Sequence, residues 1–182
     1  MRSYANIKGH PLHPALIPFP LAFLLGAALF DIAGSVWDRD AWTRTGLHLT
    51  VLGLIAGAAA ALPGILDFVN TVPPRSSGRT RALRHGLSNT IGLLCFAVAL
   101  FLKDGTVPST GVLVLETVGA ATLIYGSWLG GVLVTRNMIS VEHRYAGAAV
   151  SAVWGAETSS RHATSPDASR ASSGGASKAT PR

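Results

Sequence analysis

Four long apolar stretches, separated by short polar connections, make up most of this chain. They cover residues 15–37, 47–66, 86–102 and 111–134. Each is close to the ~20 residues that a helix, rising ~1.5 Å per residue, needs to cross a bilayer. Backbone N–H and C=O groups cannot stay unpaired in lipid, so each stretch should be helical. The pattern therefore predicts an all-α fold, an integral membrane four-helix bundle.

The polar segments divide the chain into regions. A polar lead, residues 1–13, precedes a four-helix transmembrane domain, residues 14–136. Residues 137–155 are expected to lie at the membrane interface, because their apolar run is too short to span. Residues 156–182 are dominated by Ser, Ala, Thr, Arg, Pro and Gly, and such a composition predicts a disordered C-terminal tail. The helices themselves are expected over residues 14–37, 42–66, 82–102 and 110–134.

Composition excludes several classes of protein. Charged residues make up only 13% of the 182, and most of them flank the apolar stretches, so the formal charge of +6 does not indicate nucleic-acid binding. No Gly-rich phosphate loop and no basic stripe interleaved with aromatic residues is present. The first apolar stretch is too long for a signal peptide and contains Asp31, so it should be a retained helix. The single cysteine, Cys95, excludes an intramolecular disulfide.

The distribution of Lys and Arg predicts the orientation of the bundle. The lead, the second connection and the region after the fourth helix together hold twelve, and the other two connections with the helix starts beside them hold three. By the positive-inside rule, both termini should lie in the cytoplasm. The expected location is therefore a bacterial plasma (inner) membrane, crossed several times.

The densest polar motif is His10-Pro11-Leu12-His13-Pro14. Each histidine precedes a proline, which favours polyproline II, and three residues per turn would then place both histidines on one side. Two aligned imidazoles at a membrane boundary are candidate ligands for a metal or a haem. The alternative is a stiff, proline-rich start to the first helix without a ligand.

A polar cluster is expected at the same, cytoplasmic end. Asp67 ends the second helix, His85 and Asn89 share one face of the third, and Arg136 follows the fourth. A carboxylate, imidazoles and a guanidinium at one depth are typical of a proton-linked or metal-binding cluster. The alternative is structural, with Asp67 paired to an arginine and His85 near the start of its helix. Bis-histidine haem requires His10 or His13 to face His85 across the bundle.

A second polar cluster is expected in the outer half of the membrane, where Asp31, His48 and Glu116 lie at similar depth by helix rise. Carboxylates are costly in lipid, so Asp31 should face His48, Glu116 or water. Such a group is either a structural hydrogen-bonded pair or a proton relay. A metal site would need Cys95 and these side chains to converge, which the sequence does not indicate.

Several segments closely resemble a bacterial membrane family catalogued only as domain of unknown function 2231. They are Gly9-His-Pro-Leu-His-Pro-Ala-Leu-Ile-Pro-Phe-Pro20 with Phe30-Asp31, Pro63-Gly-Ile-Leu-Asp67, His85-Gly-x-x-Asn89 and Gly126-Ser-Trp-Leu-Gly-Gly131. The resemblance covers about residues 8–141 and implies four membrane helices. Some relatives carry a Rieske-type iron–sulfur domain, which implies a redox context and a possible partner of that type. Relatives often continue past the fourth helix with a Tyr-x-His-Gly-Val-Gly-Val-like segment, and the corresponding Thr135-Arg-Asn-Met-Ile-Ser-Val141 of this chain lacks that histidine.

Two functional hypotheses remain open. In the first, the protein is a haem- or metal-binding component of a membrane redox system that uses His10, His13 and His85. In the second, it is a non-catalytic membrane packing or partner-binding protein whose polar residues hold the bundle together. Because no Ser-His-Asp, P-loop or Rossmann spacing is present, nothing in the sequence predicts autonomous catalytic activity. The expected surroundings are lipid, without nucleic acid.

Overall fold

A computed structural model of the protein describes residues 3–104 and 107–140. Its elements, in chain order, are β1 (Asn6–Ile7), β2 (His10–Pro11), α1 (Leu12–Leu16), α2 (Pro18–Trp37), α3 (Asp40–Asn70), α4 (Ser77–Leu102) and α5 (Thr110–Asn137). The interfacial segment and the disordered tail predicted beyond α5 fall almost entirely outside the described residues.

Within the described residues, four helical spans are long and apolar enough to cross a membrane. They are Leu12–Trp37, Asp40–Asn70, Ser77–Leu102 and Thr110–Asn137. Much of the apolar surface faces outward, as in Phe101, which is 88% exposed, and Trp128, which is 64% exposed. Lipid is the solvent for which such a surface is suited, because large apolar patches are rare on soluble monomers. The predicted four-helix membrane bundle is confirmed.

Several helix ends differ from their predicted positions, and local capping explains the start of α4. α4 begins five residues earlier than expected at Ser77, because the Ser76 hydroxyl accepts a hydrogen bond from Arg79 N at 3.1 Å. α3 continues through the buried Pro63 to Asn70. The first span is helical from Leu12, with a short break at Ile17 before α2 begins at Pro18.

The polar lead forms a small antiparallel β-ribbon rather than polyproline II. Asn6 pairs with Pro11 and Ile7 with His10, and the turn between the strands has Lys8 at φ 51° and Gly9 at φ 87°. The expectation that both histidines project from one extended segment was therefore wrong. His10 lies in the exposed ribbon, whereas the following histidine lies in α1. The ribbon forms because the start of the lead is held against α3, as described below.

The bundle consists of two helical hairpins that repeat the same register. α1 and α2 pack on α3, which gives the first hairpin, and α4 packs on α5, which gives the second. Every buried residue of α5 lies 66 positions after a buried residue of α3, which is the interval between Thr50 and Glu116. These α5 residues are Val112, Glu116, Gly119, Leu123, Gly126, Leu129 and Leu133.

Equivalent helices also pack through equivalent contacts. Leu24 of α2 lies against Gly53 of α3, and Phe96 of α4 lies against Gly119 of α5. A Cβ atom at Gly119 would come 2.9 Å from the Phe96 ring, so the small residue permits the close approach of the two helices. Because each helix of one hairpin runs parallel to its equivalent, the pseudo-twofold axis runs along the bundle.

Candidate functional site

Polar side chains converge on this axis at two places, one near each end of the bundle. Equivalent residues of the two hairpins touch each other there, which requires them to lie close to the axis. The histidine end contains His13 and His85, and the lysine end contains Asp31 and Lys103. Asp31 and Lys103 are 72 residues apart, as are the two histidines. The helix rise between His13 and Asp31 separates the two ends by about 27 Å, close to the thickness of a bilayer core.

His13 is positioned by α1 and is held against α3. Its Nδ1 lies 2.8 Å from the backbone oxygen of Ala60. A carbonyl oxygen only accepts, so Nδ1 is the donor and carries the proton. Gly64, one turn further along α3, leaves room for the ring: a Cβ atom there would come 2.7 Å from Nδ1.

His85 repeats this arrangement in the second hairpin. Its Nδ1 lies 2.7 Å from the backbone oxygen of Gly126, so this nitrogen is also the donor. Gly130, one turn further along α5, faces the ring, where a Cβ atom would come 3.0 Å from Cε1. The side-chain nitrogen of Asn89 lies 3.2 Å from Nδ1 and 3.3 Å from Nε2 of His85.

The two imidazoles meet edge to face. Their ring centroids are 5.9 Å apart and their planes make an angle of 87°. With Nδ1 of each ring donating to a carbonyl, the neutral form of each has its lone pair on Nε2. The histidine end therefore presents two fixed imidazoles that contact each other.

Other residues predicted for this end do not join the imidazole pair. His10 is exposed in β2, and Arg136 is exposed at the end of α5. Asp67 is buried and binds the lead: its carboxylate accepts from Ser3 Oγ at 2.8 and 2.7 Å and from Ala5 N at 3.0 Å. The acid thus fixes the lead over the bundle, whereas sequence reasoning placed it beside His85 or paired it with an arginine.

The lysine end is a buried charge cluster to which both hairpins contribute side chains. Nζ of Lys103, which follows α4, lies 2.5 Å from Asp31 Oδ2 and 2.6 Å from Glu116 Oε1. It also donates to Thr50 Oγ1 at 3.0 Å. Asp31 and Thr50 are fully buried, Glu116 is 1% exposed and the Lys103 side chain is 3% exposed. Gly46 faces Asp31 so closely that a Cβ atom there would overlap the carboxylate.

Sequence reasoning placed Asp31 and Glu116 at one depth, and the structure joins them through Lys103. His48, the third predicted member, is exposed on α3 and is not brought to them. Lys103 was missed because it lies in a connection and was counted as a flanking charge. A long side chain moves its ammonium group several ångströms from its backbone, and here it turns inward to the two acids.

The two ends differ in the chemistry that they can support. No cluster of three or more His, Cys, Asp or Glu side chains suited to a metal ion occurs among residues 3–104 and 107–140. A closed protein-only metal cage is thus not formed by the described side chains, and the histidine end offers two nitrogen ligands. At the lysine end, two carboxylates face one ammonium group, which leaves one negative charge in excess when all three are ionised.

A multi-helix membrane protein with paired polar sites on its long axis is the class that this architecture defines. The chain belongs to the family described as predicted membrane protein, domain of unknown function 2231, whose profile matches residues 9–143. The match spans both hairpins, including the histidine pair and the charge cluster. No curated protein and no solved structure matches the chain.

Proposed function

We propose that the protein holds one transition-metal centre, either haem iron or a bare ion, between His13 and His85. The observation that carries this proposal is the pair of Nδ1 bonds to the Ala60 and Gly126 carbonyls. Metal-bound histidines usually donate their second ring nitrogen to a carbonyl or carboxylate, which fixes the tautomer and the ring. Both rings satisfy this condition before any ligand binds.

The spacing of the rings fits two nitrogens on one metal. With a metal–nitrogen bond of ~2 Å and about 1.2 Å from ring nitrogen to ring centroid, two imidazoles on one metal would have their centroids at most about 6.4 Å apart. The observed separation is 5.9 Å. Gly64 and Gly130 leave the space beside each ring that a larger side chain would fill. The amide of Asn89 would have to leave Nε2 of His85 when the metal binds.

A haem iron in this position would supply one-electron chemistry, and the chain's own residues would orient the ligands. The Ala60 and Gly126 carbonyls would make the imidazoles more basic by accepting from Nδ1. The corresponding role is that of a component of a membrane redox system. A Rieske-type iron–sulfur protein is the proposed class of redox partner, on the basis of the domain that some relatives carry.

An absorption spectrum and an elemental analysis of the purified full-length protein test this proposal. A Soret band indicates haem, and a stoichiometric metal without that band indicates a bare ion. His13→Ala and His85→Ala should each abolish binding, whereas His10→Ala and His48→Ala, which change exposed histidines, should not. If the wild-type protein binds neither haem nor metal after reconstitution with hemin, Zn²⁺, Cu²⁺ and Fe²⁺, the proposal is wrong.

The second candidate function is non-catalytic packing or partner binding. It is favoured by the contact of Asn89 with both ring nitrogens of His85, which supplies a partner for Nε2 without any ligand. Under this hypothesis, the histidine pair locks the two hairpins together. His85→Ala would then lower stability equally in the presence and absence of added metal or hemin.

The proposed location is a bacterial inner membrane with both termini in the cytoplasm. The twelve-to-three distribution of Lys and Arg supports this orientation. The lead and the connection after α3 lie at the histidine end, where Asp67 of α3 binds Ser3 and Arg79 of α4 donates to Phe68 O at 3.0 Å. The histidine end would therefore face the cytoplasm and the lysine end would face outward.

A further inference from the structure

We propose that the charge cluster at the lysine end is a proton-binding site, in which Asp31 and Glu116 together hold one proton in the folded protein. The cluster contains two carboxylates and one ammonium group, all from side chains that are at most 3% exposed. With every group ionised, one negative charge would be buried without a counter-charge. Binding one proton makes the cluster neutral.

The oxygen atoms of the cluster show where this proton is needed. Asp31 Oδ2 accepts from Lys103, but Asp31 Oδ1 and Glu116 Oε2 are buried and have no hydrogen-bond partner among residues 3–104 and 107–140. Glu116 Oε1 is close enough to Lys103 Nζ for an ion pair, but it is not oriented for a hydrogen bond. Buried acceptors are normally satisfied. A carboxylic acid proton supplies a donor that these oxygens lack.

The surrounding helices supply no second cation to the cluster among the described side chains. α2 contributes Asp31, α3 contributes Thr50, α5 contributes Glu116, and the residue after α4 is Lys103. Thr50 cannot balance the charge, because its hydroxyl is uncharged and already donates to Gly46 O at 2.9 Å. His48 on α3 and Asp104 beside Lys103 are both exposed.

A proton fits the cluster better than a metal cation does. Hard cations such as Ca²⁺ and Mg²⁺ take six or more oxygen ligands, commonly including several waters. Here three carboxylate oxygens lack a directed hydrogen bond from any described residue, and the ammonium group of Lys103 stands beside them. A single proton needs one oxygen to bind and a second to accept its hydrogen bond.

The repeat identifies the residue that creates the excess charge. Thr50 of the first hairpin and Glu116 of the second occupy equivalent positions, one neutral and one acidic. Glu116→Thr would copy the residue that the first hairpin already has there. It would leave Asp31 and Lys103 as a one-to-one ion pair, so the variant should keep its fold and lose the bound proton.

Infrared difference spectroscopy tests the proposal on the full-length protein in lipid nanodiscs. The carbonyl stretch of a protonated carboxylic acid is followed from acid to alkaline pH, with Glu116→Thr and Glu116→Gln compared with the surface control Asp40→Asn. We expect the wild-type and control proteins to retain this band at neutral pH and both Glu116 variants to lose it. A wild-type spectrum without the band at neutral pH would overturn the proposal.

Unfolding measured across pH gives a second readout that does not depend on band assignment. If the folded state binds one proton more than the unfolded state at neutral pH, wild-type stability falls as pH rises. The slope should approach a tenfold change in the unfolding constant per pH unit, and Glu116→Thr should flatten it. Repeating the wild-type series with Na⁺ replaced by choline distinguishes a bound proton from a bound Na⁺ ion. A slope that depends on Na⁺ would show that the bound cation is not a proton.

Discussion

Exchanging the charges of Asp31 and Lys103 is a direct test of the pseudo-twofold arrangement. The two residues occupy equivalent positions and contact each other on the axis, so the double variant Asp31→Lys/Lys103→Asp should rebuild the same ion pair in mirror order. The introduced lysine should also remain close to Glu116, because Lys103 contacts Thr50, the equivalent of Glu116, at 3.0 Å across the axis. Neither expectation would hold if Asp31 and Lys103 were in contact without occupying equivalent positions in the two hairpins.

The size of the effect follows from the geometry of the pair. At the observed 2.5 Å, Coulomb attraction with an effective dielectric constant of 20 is about 7 kcal/mol. Desolvation offsets much of this attraction, and removing one partner of a buried pair costs about 3–5 kcal/mol. Each single variant should therefore lose about 3–5 kcal/mol of stability. Lys103→Asp should be the worse of the two, because it gathers three carboxylates around no cation.

Equilibrium unfolding in mixed micelles, followed by circular dichroism and tryptophan fluorescence, supplies the four free energies of a double-mutant cycle. The double variant should recover to within about 1–2 kcal/mol of wild type, which corresponds to a coupling of several kcal/mol. Asp40→Lys, a charge reversal at an exposed position in the first turn of α3, should cost no more than about 1 kcal/mol, the size of a helix-dipole contribution. A coupling below about 0.5 kcal/mol would mean that Asp31 and Lys103 do not interact, and would refute the arrangement on the axis.

The first of two further predictions concerns the histidine end, and the second concerns topology. Gly130→Ala should destabilise the bundle and weaken any metal binding, because its Cβ would come 3.0 Å from the His85 ring. Gly131→Ala is a matched control, because a Cβ there meets no atom of the described residues within 4 Å, and thermal unfolding of the two variants should separate them. For topology, single cysteines at Ser77 and Ser109 should label differently in intact cells, the second from outside and the first only after lysis. Labelling of Ser77→Cys from outside intact cells would contradict the predicted orientation.

Hydrophobic pattern was enough to predict the helices, because lipid allows so few backbone structures. Burial in the bundle interior was harder to predict, and His48 shows why. The interior face of α3 contains Gly46, Thr50 and Gly53. At 100° per residue, His48 lies about 200° from both Gly46 and Thr50, and so points away from that face. The small residues of α3 were visible in the sequence and could have excluded this histidine.

Asp67 and Lys103 were misplaced for a different reason. Both lie near helix ends, where sequence reasoning assigns a charge to water or to a neighbouring charge of opposite sign. Asp67 instead binds the polar groups of Ser3 and Ala5, which are more than sixty residues away in the chain. A hydrogen bond to a distant backbone N–H leaves no pattern in composition or periodicity, so only the tertiary structure reveals it.

The internal repeat could have been found from the sequence, and it would have improved the prediction of both sites. His13 and His85 are identical equivalents, as are Gly53 and Gly119, and Gly64 and Gly130. Aligning the halves on these residues places Asp31 opposite Lys103 and Thr50 opposite Glu116. The weak similarity of the remaining apolar residues conceals this register, since many apolar side chains fit a lipid-facing position equally well.

The axis also explains why equivalent residues are identical at the histidine end and different at the lysine end. Equivalent side chains on a twofold axis contact each other, so identical residues can occupy such a position only if they do not repel each other. Two neutral imidazoles meet this condition, and the histidine pair is identical. Two aspartates or two lysines would repel each other at a buried site where charge is expensive. An ion pair on the axis therefore requires the two hairpins to differ, as Asp31 and Lys103 do. The neighbouring equivalents Thr50 and Glu116 also differ, and their difference produces the excess charge that we propose a proton neutralises.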